Sequence, residues 1–141
     1  MSIPPLVDQF YRRIWNDGEL AAIQELLSPT FAFRGSLGPT MSGRESFADY
    51  VTSVRSALAD YRCRILESVT EGDMAFAKME FSGRHVGPFR GFEPTHKDVR
   101  WLGAALFRFQ NRLIVDLWVL GDLAGLDAVL RMNQATAASR S

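Results

Sequence analysis

Near Arg62 the spacing of apolar residues changes from about 3.6 to two, which divides the chain into a helical first part and a stranded second part. Before that point, Leu6, Phe10 and Ile14 run beside Val7, Tyr11 and Trp15, predicting a helix with a wide apolar face over Leu6–Trp15. Pro4 and Pro5 lead into it, and Asn16-Asp17-Gly18 ends it. Glu19–Leu27 predicts a second short helix, stopped by Pro29. Phe31-Ala32-Phe33 reads as a short strand that runs into the loop GSLGPTMSG. Ser42 or Gly43 can cap a third helix, from Arg44 or Glu45 to about Ala59, with Phe47, Tyr50, Val51, Val54 and Leu58 facing inward.

Beyond Arg62, Arg62–Thr70 and Met74–Arg84 predict two antiparallel strands around the turn Glu71-Gly72-Asp73. A loop over Val86–Asp98 follows, then a hairpin of Val99–Gln110 and Leu113–Leu120 through Asn111-Arg112. Gly121-Asp122 breaks the last strand, and Leu123–Met132 predicts a closing helix. Helices followed by antiparallel strands make an α+β pattern. The expected architecture is a cone: a curved, antiparallel mixed sheet wrapped around three N-terminal helices, with a short C-terminal helix. Residues 1–133 form the single domain, and the polar end 134–141 is expected to be a flexible tail. Apolar side chains from the helices and the concave sheet face would line a hydrophobic small-molecule pocket.

Composition narrows the partners. Sixteen basic residues balance 16 acidic ones, which leaves no electrostatic footprint for nucleic acid or an anionic membrane. No apolar run approaches the roughly 20 residues needed to span a bilayer. MSIPPLVDQFYRR lacks the charged start and apolar block of a signal peptide, so a cytoplasmic protein is expected. The lone Cys63 allows no intrachain disulfide and reads as a half-buried structural thiol. With only two histidines and one cysteine, neither a metal nor another cofactor is expected. Ten phenylalanines and three tryptophans supply aromatic surface for a flat ligand or for a homodimer interface on the outer sheet face.

In this order the segments resemble the nuclear transport factor 2-like superfamily, and within it the SnoaL-like polyketide cyclases. The resemblance rests on FYRRIWNDGELAAIQELLSPTFAFRG, MSGRESFADYV, FSGRHVGPFRGFEPTHKDVRWLGAALFRF and LIVDLWVLGDLAGL, nearly the whole chain. It implies cofactor-free aldol ring closure in which an acidic residue serves as general acid and base. Asp122, four residues after Trp118, stands where the family has its aspartate after the tryptophan, and His85 matches the histidine of a G-x-H-x-G strand end. Leu117 and Val119 stand where many relatives carry a histidine and an aspartate beside that tryptophan. The chain is also similar to the ketosteroid isomerases: Tyr11 falls at their oxyanion-hole tyrosine, but their base would fall at Arg34 and their protonated acid at Ala105. Arginine stays protonated at neutral pH, which removes steroid isomerisation.

The residues leave alternatives. Asp122 is either a partly desolvated acid–base group at the pocket mouth or the N-cap of the closing helix. His85 either transfers protons or bonds to backbone at a strand end, and His96 reads as a solvated loop residue. Arg34 either binds a ligand carboxylate or ester, or pairs with Asp122, or lies on the surface. Tyr11 either donates to an enolate oxygen or packs in the core. Trp15, Phe33, Tyr50, Trp101 and Trp118 are core residues of which some line the pocket. Asp116 shares strand parity with Ile114 and Trp118 and reads as a second pocket carboxylate or an interface residue. An epoxide-hydrolase arrangement would need Asp116, Arg100 and Asp122 to converge.

Overall fold

The computed structural model describes residues 2–138. Helix α1 (Pro5–Gln9) begins at a proline that supplies no N–H where none is needed. It continues without a break as a π-helix over Phe10–Asn16, where Asp17 N–H reaches back to the Arg12 carbonyl at 2.9 Å. The wider turn sends Phe10, Tyr11, Ile14 and Trp15 to one buried side. Helix α2 (Ala22–Leu26) is shorter than expected, because Leu27 already belongs to strand β1 (Leu27–Arg34). Pro29 does not stop a helix; it lies inside β1, where the register shifts between Leu27 and Ala32 and no ladder N–H is required.

The loop after β1 contains a short strand, β2 (Thr40–Ser42), before helix α3 (Arg44–Ala57). Gly43 takes the N-cap position of α3 with φ 89°, a conformation open to glycine. The strands are β3 (Leu58–Glu71), β4 (Met74–His85), β5 (Asp98–Gln110) and β6 (Leu113–Gly121), each a residue or more longer than expected. They form one six-stranded sheet in the order β2-β1-β6-β5-β4-β3. Only the β1–β6 pair is parallel, so the sheet is mixed, as the α+β cone requires.

Helix α4 runs from Leu123 to Ala138. It outlasts the predicted end at Met132 because Gln134-Ala135-Thr136-Ala137-Ala138 contains no glycine or proline and is rich in alanine. The expected tail is therefore helical through Ala138, and its last residues, 139–141, lie outside the described part.

Strand alternation decides which side chains enter the core. Ala75, Ala77, Met79 and Phe81 of β4, Ala105 and Phe107 of β5, and Leu117 and Val119 of β6 are all buried. They meet Phe10, Ile14, Phe47, Val51 and Val54 from the helices in one cluster. A bulge at Val115, opposite the step from Arg108 to Phe109, reverses the parity at the start of β6. Ile114 is buried for that reason, whereas Asp116 and Trp118 face outward.

Candidate functional site: an aromatic cavity inside the cone

Inside the cone, Phe10, Tyr11, Trp15, Phe33, Ser36, Tyr50, Tyr61, Cys63, Phe81, Leu117 and Val119 enclose a cavity. Space for water-sized molecules within it is small, about 20 Å³, room for about one water. The π-helix is held in place at its end. Asn16 bridges to β3, donating Nδ2–H to the Cys63 carbonyl at 3.2 Å and accepting the Cys63 N–H at 2.7 Å. Arg55 donates to the carbonyls of Trp15 and Asn16, and Arg62 to that of Asn16 at 2.8 Å. These bonds satisfy the terminal carbonyls and fix the ring of Trp15 edge-on against Tyr50 and Tyr61, with centroids 5.8 and 5.4 Å away.

The polar groups of the cavity are neutral. The Tyr11 hydroxyl is buried and has no hydrogen-bond partner, and burial, with Cys63 beside it, holds its pKa well above the ordinary phenol value. Burial likewise raises Tyr61, and pushes Tyr50 up to about 12 against the opposing pull of Leu37 and Ser36. Burial pushes the Cys63 thiol up as well, so it is an inert thiol rather than a thiolate. The cavity thus offers phenols, a thiol and the Ser36 hydroxyl, with no carboxylate, imidazole or cation in its wall.

Gly35 gives Tyr50 its place: a Cβ there would lie 2.6 Å from the Tyr50 hydroxyl. Gly103 does the same for Phe81, whose ring would meet a Cβ at 2.5 Å.

Four of the expected site residues, Tyr11, Trp15, Phe33 and Tyr50, meet in this cavity. The others do not line it. Asp122 is exposed and accepts the Gly125 N–H on Oδ1 at 3.0 Å, the N-cap arrangement for α4. Arg34 has the opposite strand parity to Phe33; it donates to the Val119 carbonyl and lies over the ring of Trp118, 5.6 Å from its centroid, on the outer face. Trp101 is buried behind the cavity wall, 5.3 Å from Phe81 and 6.1 Å from Tyr61 between ring centroids. His85 is fully buried at the end of β4 beside Phe89, at a ring separation of 6.2 Å.

Asp116, Arg100 and Asp122 do not converge: Asp116 sits opposite Arg108 in the sheet, Arg100 pairs with Glu80 at 3.7 Å, and Asp122 caps α4. Among the described residues no three His, Cys, Asp or Glu side chains are placed to hold a metal ion. No described helix is long and apolar enough to cross a membrane.

The residues not expected in the site are Phe10, Ser36, Tyr61, Cys63, Phe81, Leu117 and Val119. Strand alternation was the available signal for Leu117 and Val119, since they flank the outward Trp118. The two positions at which many relatives are polar are therefore apolar walls of the cavity itself.

A curved mixed sheet closed over helices around an internal cavity defines a nuclear transport factor 2-like α+β cone. The chain belongs to the SnoaL-like polyketide cyclase family, whose sequence model matches residues 5–130. No curated protein sequence matches it. Among solved structures, a candidate polyketide cyclase from Acidithiobacillus ferrooxidans superposes with a TM-score of 0.83 at 22% identity, over 94% of this chain and 99% of that one. TsrD from Streptomyces laurentii gives 0.79 at 25% identity, over 92% and 98%. An epoxide hydrolase of the LEH-like type from M. tuberculosis gives 0.74 at 11% identity, over 96% and 94%, a likeness of fold alone.

Proposed function

We propose that this SnoaL-like cone binds a compact, uncharged and largely apolar molecule that carries a hydrogen-bond acceptor, without acid–base catalysis by Asp122, the aromatic side chains of the wall moving apart to widen a cavity that here has room for about one water. One observation carries the reading: Leu117 and Val119 form the cavity wall while Asp122 stays outside it as a helix cap. A buried site with neutral donors and no counter-charge penalises an ionised ligand, because its desolvation is not repaid. The unpartnered Tyr11 hydroxyl favours an acceptor such as a carbonyl oxygen, which would satisfy it.

A second reading is cofactor-independent ring closure of the family type, and family membership supports it. In that case Tyr11, kept protonated by burial, polarises the substrate carbonyl and stabilises its enolate. The base would then come from the substrate or solvent, since the cavity wall holds none. Under either reading the outer sheet face is the contact between two copies of the chain, because Val69, Phe76, Leu102, Trp118 and Leu120 are exposed there.

The test is a titration of the isotopically labelled protein with acetophenone and, separately, with benzoate. Acetophenone should shift the Tyr11, Trp15 and Tyr50 ring resonances, and benzoate should leave them unmoved. Benzoate occupying the cavity, or acetophenone leaving every lining resonance in place, overturns the binding reading.

A further inference from the structure

Beyond the cavity wall, at the end of β4, lies a second polar cluster that nothing above employs. Thr95 donates its backbone N–H to Nδ1 of His85 at 3.3 Å, so Nδ1 is the acceptor and the neutral ring carries its proton on Nε2. The Nε2 atom is buried and makes no well-formed hydrogen bond, although the carbonyls of Phe92 and Gly87 lie close enough to act on the ring. The indole Nε1–H of Trp101 makes none, in a side chain that is 3% exposed. An orphaned donor of this kind carries a desolvation cost that packing alone does not justify.

The ring of Phe89 packs against both, with centroids 6.2 Å from His85 and 6.2 Å from Trp101. Phe89 belongs to the loop joining β4 to β5, not to the cone itself. It enters a tight turn closed by mutual backbone bonds with Phe92 at 3.0 and 2.9 Å, with Arg90 and Gly91 at φ 50° and 83°. At the tip of that turn Arg90 makes a two-pronged ion pair with Asp127 of α4, at 2.7 and 3.0 Å. Both side chains are about three-quarters buried, so this pair is better shielded than the other ion pairs of the surface. The ion pair ties the turn to α4, and the turn carries Phe89.

We propose that the space filled by the Phe89 ring is a second ligand site, opened when the Arg90–Asp127 pair releases the turn. It would take a planar uncharged group bearing an oxygen acceptor. A ring replacing Phe89 would keep its contacts with His85 and Trp101, and its oxygen would accept from Nε2–H, from Nε1–H, or from both. Trp101 also touches Phe81 and Tyr61 of the first cavity, so an opened site would be continuous with it. The proposal does not depend on whether the first cavity binds or catalyses.

Acylation of histidine by diethyl pyrocarbonate, followed by peptide mass spectrometry, reads the opening directly. The exposed His96 serves as an internal reference in every sample. In the wild-type chain His96 should react and His85 should lag far behind. Asp127→Asn and Arg90→Gln should each raise the His85 rate relative to His96 by about tenfold, the scale set by loss of one charge-assisted pair. Phe89→Ala should raise it without touching the ion pair. A variant that fails to fold would show in its thermal melt, and the remaining two then carry the test.

The occupant is read with the Phe89→Ala protein, titrated with acetophenone and with ethylbenzene while the Trp101 indole N–H resonance is followed. Acetophenone should shift that resonance and slow His85 acylation, and ethylbenzene, lacking the acceptor, should bind more weakly. Equal protection of His85 in the wild type and in folded Asp127→Asn and Arg90→Gln overturns the latch. Equal response to the two probes, or to neither, overturns the site.

Discussion

Asp122 Oδ1 accepts the backbone N–H of Gly125 at 3.0 Å, which makes Asp122 the N-cap of α4. The next helical bond, from Leu126 N–H to the Asp122 carbonyl at 3.1 Å, confirms that α4 starts at this residue. Asparagine caps as well as aspartate, whereas alanine cannot. Asp122→Asn should therefore leave stability and ligand binding unchanged, and Asp122→Ala should cost about 1 kcal/mol. Urea unfolding of the three proteins checks this. An Asn variant that folds normally but loses turnover on a verified substrate would return Asp122 to the chemistry.

The Tyr11 hydroxyl sets stability against function. Buried without a partner, it burdens the empty protein, and replacing it by an apolar group of the same shape removes the burden. Tyr11→Phe should raise the unfolding free energy of the unliganded protein by about 1 kcal/mol and weaken acetophenone binding. Denaturant unfolding and titration on the same sample measure both. A variant that is less stable than the wild type would mean that an ordered water already satisfies the hydroxyl.

Much of the cone was legible in the sequence, because the helix and strand periods are physical requirements of burying one face. Tyr11, Trp15 and Tyr50 could be placed in the wall from helical spacing, and Phe33 from its strand. The π-helix was not legible, since its extra residue per turn leaves no mark that separates it from an α-helix in so short a run. Nor was Ile114, whose parity is set by a bulge at Val115 of its own strand, visible only from the pairing with β5. Asp122 was undecidable locally: an aspartate after a strand end and before an apolar helix reads identically as a cap and as a pocket acid. Tyr61, Cys63 and Phe81 join the wall only through the curvature of the whole sheet, to which no single segment testifies.

Burial lowers the pKa of His85 below its ordinary value, against the favourable effect of the Phe92 and Gly87 carbonyls. The folded state therefore binds its proton less readily than the unfolded state does. Stability from this group is fully present above the unfolded value near 6.5 and is lost as pH falls toward the folded value. The carboxylates of Asp127 and Glu19, both lowered by arginine partners, act in a separate window, below about 4.5. Wild-type protein should thus lose stability as pH falls below the ordinary histidine value of about 6.5. His85→Asn, which keeps an acceptor for the Thr95 N–H, should show a flatter profile there, and chemical denaturation across that range tests it. Parallel profiles would mean that His85 titrates normally in the fold.

Register aligns Val69, Phe76, Leu106 and Trp118 in one row across the outer face, ending at Arg34. Val69, Phe76 and Trp118 are 67%, 39% and 42% exposed, far more apolar surface in one line than a lone chain gains from. Charged pairs flank the row, with Glu67–Lys78 at 3.9 Å and Glu80–Arg64 at 3.0 Å, so the face has the apolar centre and polar rim of an interface. Trp118 is central to it, and Arg34 stacked over the ring holds it in one orientation. The wild-type chain should sediment as a dimer. Trp118→Glu should raise the dimer dissociation constant by about 100-fold, the loss expected of one hot-spot residue. Val69→Glu, at the far end of the row, should have a smaller effect. Circular dichroism of both variants should match the wild type, because neither side chain enters the core. A wild-type chain that sediments as a monomer at concentrations well above the micromolar range would leave this face without the second copy assigned to it.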